Sequence, residues 1–137
     1  MKKYYSEIRV IYADTDAMGI VYHGNYVKWF EIGRTEYLRQ IGYPYSVIEK
    51  EGIWLPVISL TCDYKSPAFY DDILEIAAWA SNLKGASIIM NYEIRRKGEK
   101  DILVSGKTKH AITDENLKPI RFAKENPEFN KTIQETM

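Results

Sequence analysis

Apolar and polar residues alternate at the start of the chain, and the period of the pattern changes near residue 25. The segment EIRVIYA alternates and predicts a β-strand. Its apolar positions on one side are Ile8, Val10 and Tyr12. From Asn25 the apolar positions recur at steps of three and four residues, which is typical of one face of an α-helix. These positions are Tyr26, Val27, Phe30, Gly33, Tyr37, Leu38 and Ile41. Gly42 and Pro44 then end the predicted helix.

Two residues on or beside this helix face are unusual for it. Gly33 costs about 1 kcal/mol of helix stability relative to alanine, so we expect a close approach to a neighbouring sheet at this point. Arg34 falls beside the same apolar face and needs a partner. Glu31 lies three residues earlier, which is within reach on a helix surface.

Further strand patterns follow the helix. They cover residues 53–67, 70–83, 86–96 and 101–113. Pro56 favours an edge strand because proline cannot donate a ladder hydrogen bond. The polar segment from about residue 123 to 137 is expected to be mobile or a short surface helix. We therefore predict one α+β domain, residues 1–137, whose antiparallel sheet of four or five strands wraps a central helix.

The composition fits a globular protein and excludes several classes of partner. The 137 residues are 45% hydrophobic, and the 19 basic side chains equal the 19 acidic ones. A neutral chain is a poor candidate for broad binding to nucleic acid or to anionic membranes. No stretch approaches the roughly 18 apolar residues of a membrane span, and the N-terminus lacks the apolar core of a signal peptide. We therefore expect a cytoplasmic protein, and the single cysteine fits a reducing compartment.

Short motifs outside one segment carry little chemistry. SGKT, residues 105–108, lacks the first glycine of a phosphate-binding loop and lies within a predicted strand rather than at a helix start. The two histidines, His23 and His110, have no cysteine or carboxylate at metal-ligand spacing, so we predict no metal site. Cys62 lies within a strand pattern and is interpreted as a small buried hydrophobe.

The segment ADTDAMGIVYHGNY, residues 13–26, is the exception. Asp14 fits a turn, because aspartate side chains bond locally to the backbone. Taken singly, Asp16 and His23 also fit a solvated loop. Together with the N–H groups of a helix start, they supply the parts of an acyl-transfer site. These parts are a base or nucleophile, a proton-handling group, and an oxyanion site supported by the helix dipole.

The pattern D-x-D-x-x-G-x-V-Y-H-x-x-Y begins the longer stretch DTDAMGIVYHGNYVKWFEIGRTEYLRQIG. This stretch resembles the active-site loop and central helix of hotdog-fold acyl-CoA thioesterases, and the nearest branch is the 4-hydroxybenzoyl-CoA thioesterase/YbgC-like family. The likeness continues in LPVISLTCDYKSPAFYDDILEI and GKTKHAITDENLKPIRF and covers roughly residues 5–122. It implies a five-stranded antiparallel sheet wrapped around one long helix. It also implies dimers with a continuous ten-stranded sheet, often paired into homotetramers, with active sites between subunits.

Residue by residue, the resemblance implies Asp16 as the catalytic carboxylate. His23 matches the histidine of the YbgC-like branch, where hydroxybenzoyl-specific enzymes have an aromatic residue, and this difference argues against a hydroxybenzoyl substrate. The backbone N–H of His23 matches the group that polarises the thioester carbonyl. Glu31 matches an acidic residue that lines the acyl pocket, with the ion pair described above as its alternative role. Lys84 and Ser87 match contacts to the nucleotide phosphates.

The resemblance therefore implies an acyl-CoA thioesterase that needs no metal or redox cofactor, since CoA is part of the substrate. Asp16 either activates water or attacks the carbonyl, and the sequence leaves both routes open. The phosphates of CoA require a local basic patch. Its candidates are Lys84, Arg95, Arg96, Lys107 and Lys109. Two alternatives remain: a hydratase or dehydratase that acts on an acyl thioester, and a non-catalytic acyl-CoA-binding protein.

Overall fold

The computed structural model describes residues 1–137, which form five β-strands and four α-helices. In chain order the elements are β1 (Tyr4–Arg9), α1 (Asn25–Gln40), α2 (Tyr45–Lys50), β2 (Val57–Tyr64), β3 (Ile73–Lys84), β4 (Ser87–Arg96), β5 (Ile102–Ala111), α3 (Phe122–Glu125) and α4 (Pro127–Thr136). The strands make one antiparallel sheet in the order β1-β3-β4-β5-β2. Helix α1 packs on one face of this sheet. The predicted α+β arrangement of a five-stranded sheet around one long helix is confirmed.

The bounds of α1 match those predicted from the periodicity. The helix begins after Gly24, and Gly42 follows its end with φ +92°, a left-handed conformation that glycine adopts without steric cost. The predicted apolar face was wrong at Val27, which is exposed, while Trp29 is buried. Trp29 belongs to the face that repeats every three and four residues from Tyr26, and the two rings meet edge to face at 5.2 Å.

Gly33 lies where α1 approaches the sheet closely, as its place in the apolar face predicted. A Cβ atom on Gly33 would lie 2.7 Å from Cγ2 of Ile76 on β3. One turn earlier, the ring of Phe30 stacks on Tyr92 of β4 with centroids 4.5 Å apart. The helix is therefore held on the sheet by a glycine contact on one strand and a parallel aromatic pair on the next.

A hydrogen-bond chain crosses the core between α1 and the start of β2. Arg34 donates from Nη1 to the hydroxyl of Tyr92 (3.4 Å), and Tyr92 is bonded to Thr108 (2.6 Å). Thr108 is bonded to Nε2 of His110 (2.7 Å), whose Nδ1 is bonded to the carbonyl of Leu55 (2.9 Å). We call these groups the Arg34–His110 chain. The expected ion pair between Glu31 and Arg34 is wrong, because Arg34 turns inward and also donates from Nε to Tyr45 (3.0 Å).

The two ends of the Arg34–His110 chain fix its direction. A guanidinium only donates and a backbone carbonyl only accepts. Nδ1 of His110 must therefore carry the proton that it gives to Leu55, and Nε2 of the neutral ring must accept from Thr108. The Thr108 hydroxyl in turn accepts from Tyr92, so each hydroxyl in the chain accepts one hydrogen bond and donates one.

We expect His110 to make the protein sensitive to mild acid. Burial is the largest cause that lowers the pKa of His110, from 6.5 to about 4. As pH falls from 6.5 toward 4, the unfolded chain takes up a proton that the folded chain refuses. Stability present above pH 6.5 is thus lost over this range, by about 3 kcal/mol in total. Urea unfolding at several pH values measures the loss.

The matched variant for this experiment is His110→Gln, which cannot titrate. Its free energy of unfolding should depend less on pH between 6.5 and 4 than that of the unaltered protein. Equal pH slopes for the two proteins would show that His110 does not bind its proton differently in the folded and unfolded states.

Three segments differ from the sequence prediction. β1 ends at Arg9, and Tyr12 is exposed in a short 3₁₀ turn rather than aligned with Val10 on a strand face. Helix α2 occupies a stretch expected to be a connection. The C-terminal segment contains a short helix, one of its two predicted forms, but α4 is packed rather than mobile: Phe129 and Ile133 are buried, and Phe129 stacks on Tyr43 at 4.2 Å.

One edge of the sheet is formed by a strand with exposed apolar side chains. β2 is an edge strand that follows Pro56, as predicted, and its large apolar side chains stay exposed. These side chains are Val57, Ile58, Leu60 and Tyr64. A free strand edge with an apolar surface is a template for pairing with another chain. None of the helices is long and apolar enough to cross a membrane.

Candidate active site

The loop between β1 and α1 is built around the buried side chain of Asp14. Its Oδ2 accepts a hydrogen bond from the backbone N–H of Ile11 (3.0 Å), and its Oδ1 forms an ion pair with Lys28 (3.2 Å). Its carbonyl accepts from the backbone of Tyr22 (2.8 Å) and from the side chain of Asn25 (2.8 Å). Asp14 has all its oxygen atoms engaged, and it ties the loop to the first turn of α1.

Asp16 lies two residues further on and is only half-buried. Its Oδ1 accepts from the backbone N–H of Met18 (2.9 Å), while Oδ2 has no hydrogen-bond partner in the chain. The backbone of Asp16 bonds to Ile20 (2.9 Å) across a tight turn at Gly19, whose φ is +79°. The carboxylate is thus held by one oxygen and offers the other.

The start of α1 presents unused hydrogen-bond donors. The backbone N–H groups of His23 and Gly24 make no hydrogen bond within the chain, whereas the next one, at Asn25, donates to Tyr22 (3.0 Å). No side chain caps the helix. Free N–H groups at a helix N-terminus carry partial positive charge and favour an anionic oxygen.

A cleft of about 240 Å³ opens beside this helix start. Its walls are Ile20, Val21, His23, Tyr26, Tyr64, Lys65, Ser66 and Pro67. The ring of His23 is exposed and rests against Tyr22 (4.4 Å between centroids), with Tyr64 edge-on at 6.1 Å. The hydroxyl of Tyr64 donates to the carbonyl of His23 (3.0 Å). The edge strand β2 and the loop before α1 therefore meet at this cleft.

Tyr64 and Cys62 both keep their protons at neutral pH. The neighbouring Cys62 thiol, and to a lesser extent burial, raises the pKa of Tyr64 to about 12. Burial raises the pKa of Cys62 in turn, so its sulfur is a thiol rather than the thiolate that acts as a nucleophile. Cys62 is only half-buried on the edge strand, less enclosed than the small buried hydrophobe expected from its strand pattern.

Asp16 and His23 lie on the same loop, but the other three predicted site residues do not join them within one chain. Glu31 is exposed on α1. Lys84 and Ser87 form the turn between β3 and β4, where the Ser87 hydroxyl bonds to the Lys84 carbonyl (3.3 Å). The loop of Asp16 lies at the opposite end of β3, which spans roughly 36 Å at about 3.3 Å per residue.

The predicted basic residues of the sheet are also spread out. Lys107 and Lys109 alternate with Gly106, Thr108 and His110, which face α1, so both lysines point to the outer face of the sheet. Arg96 forms an ion pair with Asp72, with 3.0 Å between Nε and Oδ2. No group of three or more histidine, cysteine or acidic residues is placed to hold a metal ion.

Sequence reasoning missed the contribution of Tyr64 and Lys65 to the cleft. These two residues reach the cleft because the chain turns away from the sheet at Ser66 and Pro67, directly after β2. At this turn the backbone N–H groups of Lys65 and Ser66 donate to the carbonyl of Leu103 (2.8 and 3.1 Å). The motif SPAFYDD that follows β2 signals a turn, but the place where that turn meets the loop before α1 depends on the bridge between Ile20 and Phe69.

Comparison with known proteins agrees with this fold. Residues 18–103 match the model of the thioesterase superfamily. The chain is 35% identical to YneP of Bacillus subtilis, with 93% of each chain covered. It is 37% identical to the acyl-CoA thioesterase YbgC of Haemophilus influenzae, with 86% of this chain and 87% of that one covered. The structure of a DHNA-CoA thioesterase from Staphylococcus aureus superimposes with a TM-score of 0.90 at 34% identity, covering 98% of this chain and 91% of that one.

The family model and the relatives match most of the helices and strands described above. The matched residues begin at Met18, two residues after Asp16, and run through α1, β2, β3 and β4 to the start of β5. With more than half of the chain matched, and relatives above 30% identity over most of both lengths, the chain belongs to the thioesterase superfamily and has its hotdog fold.

Proposed function

We propose that this protein is an acyl-CoA thioesterase that hydrolyses the thioester of an acyl-CoA to the free acid and CoA. The observation that carries the proposal is a carboxylate with one free oxygen, Asp16, on a loop that runs into a helix start with two unused N–H donors. Relatives named as acyl-CoA thioesterases support the choice of substrate class.

The N–H groups of His23 and Gly24 bind the thioester carbonyl oxygen in this mechanism. As the carbonyl carbon becomes tetrahedral, negative charge grows on that oxygen, and the donors and helix dipole stabilise it. The free Oδ2 of Asp16 either removes a proton from the attacking water or forms a bond to the carbonyl carbon. In both routes the carbon–sulfur bond breaks, and CoA leaves as a thiolate and takes up a proton. In the first route water attacks the carbonyl carbon directly. In the second route water attacks the acyl carbon of the mixed anhydride, which breaks the bond to Asp16, restores its carboxylate and releases the acid.

The exposed ring of His23 fits a supporting role in this site. It lines the cleft beside the donors and is not hydrogen-bonded in the chain, so it is free to orient the substrate or pass a proton to the leaving thiolate. A hydratase or dehydratase would use Asp16 and His23 as an acid–base pair on the acyl chain. Pure binding would gain nothing from a carboxylate placed beside an anionic ligand.

The edge strand β2 supports a homo-oligomer as part of the proposal. Its backbone edge is unpaired and its apolar side chains are exposed, so pairing of two β2 strands would continue the sheet into ten strands. The cleft lies beside the end of β2 and would face this junction. Light scattering measures the number of subunits, and we expect a dimer or a tetramer. A monomer in solution would contradict pairing through β2.

A panel of acyl-CoA esters, assayed with a thiol reagent that detects free CoA, tests the activity. We expect release of CoA from at least one ester, with unmodified acid as the other product. Binding of acyl-CoA without release of CoA would favour the non-catalytic alternative. A change in the acyl chain with the thioester intact would favour the hydratase or dehydratase.

Replacing His23 with alanine should lower kcat while leaving the fold unchanged, because the ring is exposed and makes no hydrogen bond. We expect a loss of about tenfold, less than the effect of a general base, since the backbone N–H of residue 23 remains. Steady-state kinetics measures it. The control is Tyr22→Ala, which removes the neighbouring ring but no group of the proposed mechanism, and equal losses in both variants would make His23 a packing residue.

A further inference from the structure

Lys65 is the one cation that lines the cleft, and it has no acidic partner. The cleft walls contain no carboxylate, and Lys65 forms none of the ion pairs in the structure. The acidic residue closest to it in sequence, Asp63, lies on the outer face of the sheet beside Trp79. In a chain whose positive and negative charges balance, Lys65 is therefore an unpaired positive charge among the residues that line the cleft.

The backbone beneath Lys65 is fixed. Lys65 and Ser66 both donate to the carbonyl of Leu103 (2.8 and 3.1 Å), and Pro67 follows directly. Only the side chain is free, and its four-carbon stem lets the ammonium reach along the cleft wall. His23, beside the helix start, lines the same cleft, so a substrate whose thioester meets those donors would occupy the cleft that Lys65 also lines.

We infer that Lys65 binds an anionic oxygen of the substrate and thereby sets which thioesters this enzyme accepts. The inference rests on the proposed function and adds a specificity-determining residue to it. The anionic oxygen belongs either to a phosphate of CoA or to a carboxylate on the acyl group. Such a contact is remote from the reacting carbon and is present before and during the reaction, so its loss raises KM and leaves kcat unchanged.

The test compares Lys65→Met with Lys65→Arg and with Lys131→Met, which removes an exposed lysine on α4 away from the cleft. Lys65→Met is expected to raise KM for an acyl-CoA about tenfold, as for the loss of a hydrogen bond to a charged group. The arginine variant should restore most of the affinity, and the Lys131 variant should behave as the unaltered protein. Unchanged KM in Lys65→Met for every substrate would overturn the inference.

Two further substrates locate the anionic oxygen. In a neutral acyl-pantetheine, which has no nucleotide phosphates, the effect of Lys65→Met vanishes if the partner is a CoA phosphate. In succinyl-pantetheine the effect persists if the partner is an acyl carboxylate. Either pattern supports the inference and names the source, whereas the same KM in all variants for both esters and for acyl-CoA contradicts it.

Binding of a non-hydrolysable CoA thioether whose alkyl chain ends in a carboxylate separates this inference from the proposed function, since this probe carries both candidate anionic oxygens. Calorimetry reports its affinity whether or not the protein turns over a thioester. Weaker binding to Lys65→Met than to Lys131→Met supports the contact even if no hydrolysis occurs. Normal hydrolysis with equal binding in the two variants rejects Lys65 alone and leaves the thioesterase proposal in place.

Discussion

Asparagine in place of Asp16 is expected to lower kcat for acyl-CoA hydrolysis at least about 100-fold, the usual contribution of a general base or nucleophile. The variant keeps the loop, because the amide oxygen of asparagine can accept the same hydrogen bond from Met18 that Oδ1 of Asp16 accepts now (2.9 Å). Binding of a substrate analogue should stay near its original value. Steady-state kinetics and calorimetry on the same preparation measure both quantities.

Asp14→Asn is the matched control, since it makes the same chemical change two residues earlier. It weakens the ion pair with Lys28 and the bond to Ile11, so we expect a lower melting temperature with turnover still measurable. A normal rate in the Asp16 variant would move the chemistry to another group. Loss of turnover in the Asp14 variant alone would assign the reaction to Asp14.

Alanine in place of Gly106 is expected to cost the fold about 3 kcal/mol of unfolding free energy, at the upper end for overpacking a core. A Cβ atom there would overlap the backbone carbonyl oxygen of Thr61 on β2 and lie 2.5 Å from Cε2 of Phe30. The carbonyl belongs to the strand paired with β5, so relief requires either β2 or α1 to move. Urea unfolding measures the loss.

Ser105→Ala, on the same strand and half-buried, provides the comparison and should change stability by less than about 0.5 kcal/mol. Adding Phe30→Leu to the Gly106 variant removes one of the two clashes. The double variant should therefore be more stable than the sum of the two single losses predicts. Strict additivity would mean that the ring of Phe30 is not what opposes a side chain at position 106.

The elements with strong periodicity were predictable from the sequence. α1 and the strands β3 to β5 have many apolar residues at one regular spacing, so burial of a single face decides their structure. Helix α4 was harder because its apolar residues are few. Asn126-Pro127 and the spacing of Phe129 and Ile133 signal a helix start and an apolar face. A short surface helix was one of the two predicted forms, but the many polar residues between these positions hid its burial against the fold.

The candidate site was predictable only where it is local. Asp14, Asp16 and His23 lie within ten residues, and the turn and helix rules apply to that stretch directly. The cleft also needs Tyr64 and Lys65, which lie about 40 residues further along the chain and reach it through tertiary pairing alone. The partners of Arg34 could not be deduced for the same reason: two tyrosine hydroxyls from other elements replaced the nearby glutamate.

Because the Arg34–His110 chain has a fixed direction, only some substitutions at its residues keep every polar group hydrogen-bonded. Serine can replace Thr108 because it keeps one donor and one acceptor. Valine cannot do so alone, since it would leave the O–H of Tyr92 without an acceptor and Nε2 of His110 without a donor. A replacement that removes the hydroxyl of Thr108 must therefore be accompanied by changes at both of its partners, Tyr92 and His110. The four residues of this chain, on three separate elements, are therefore expected to vary together rather than independently.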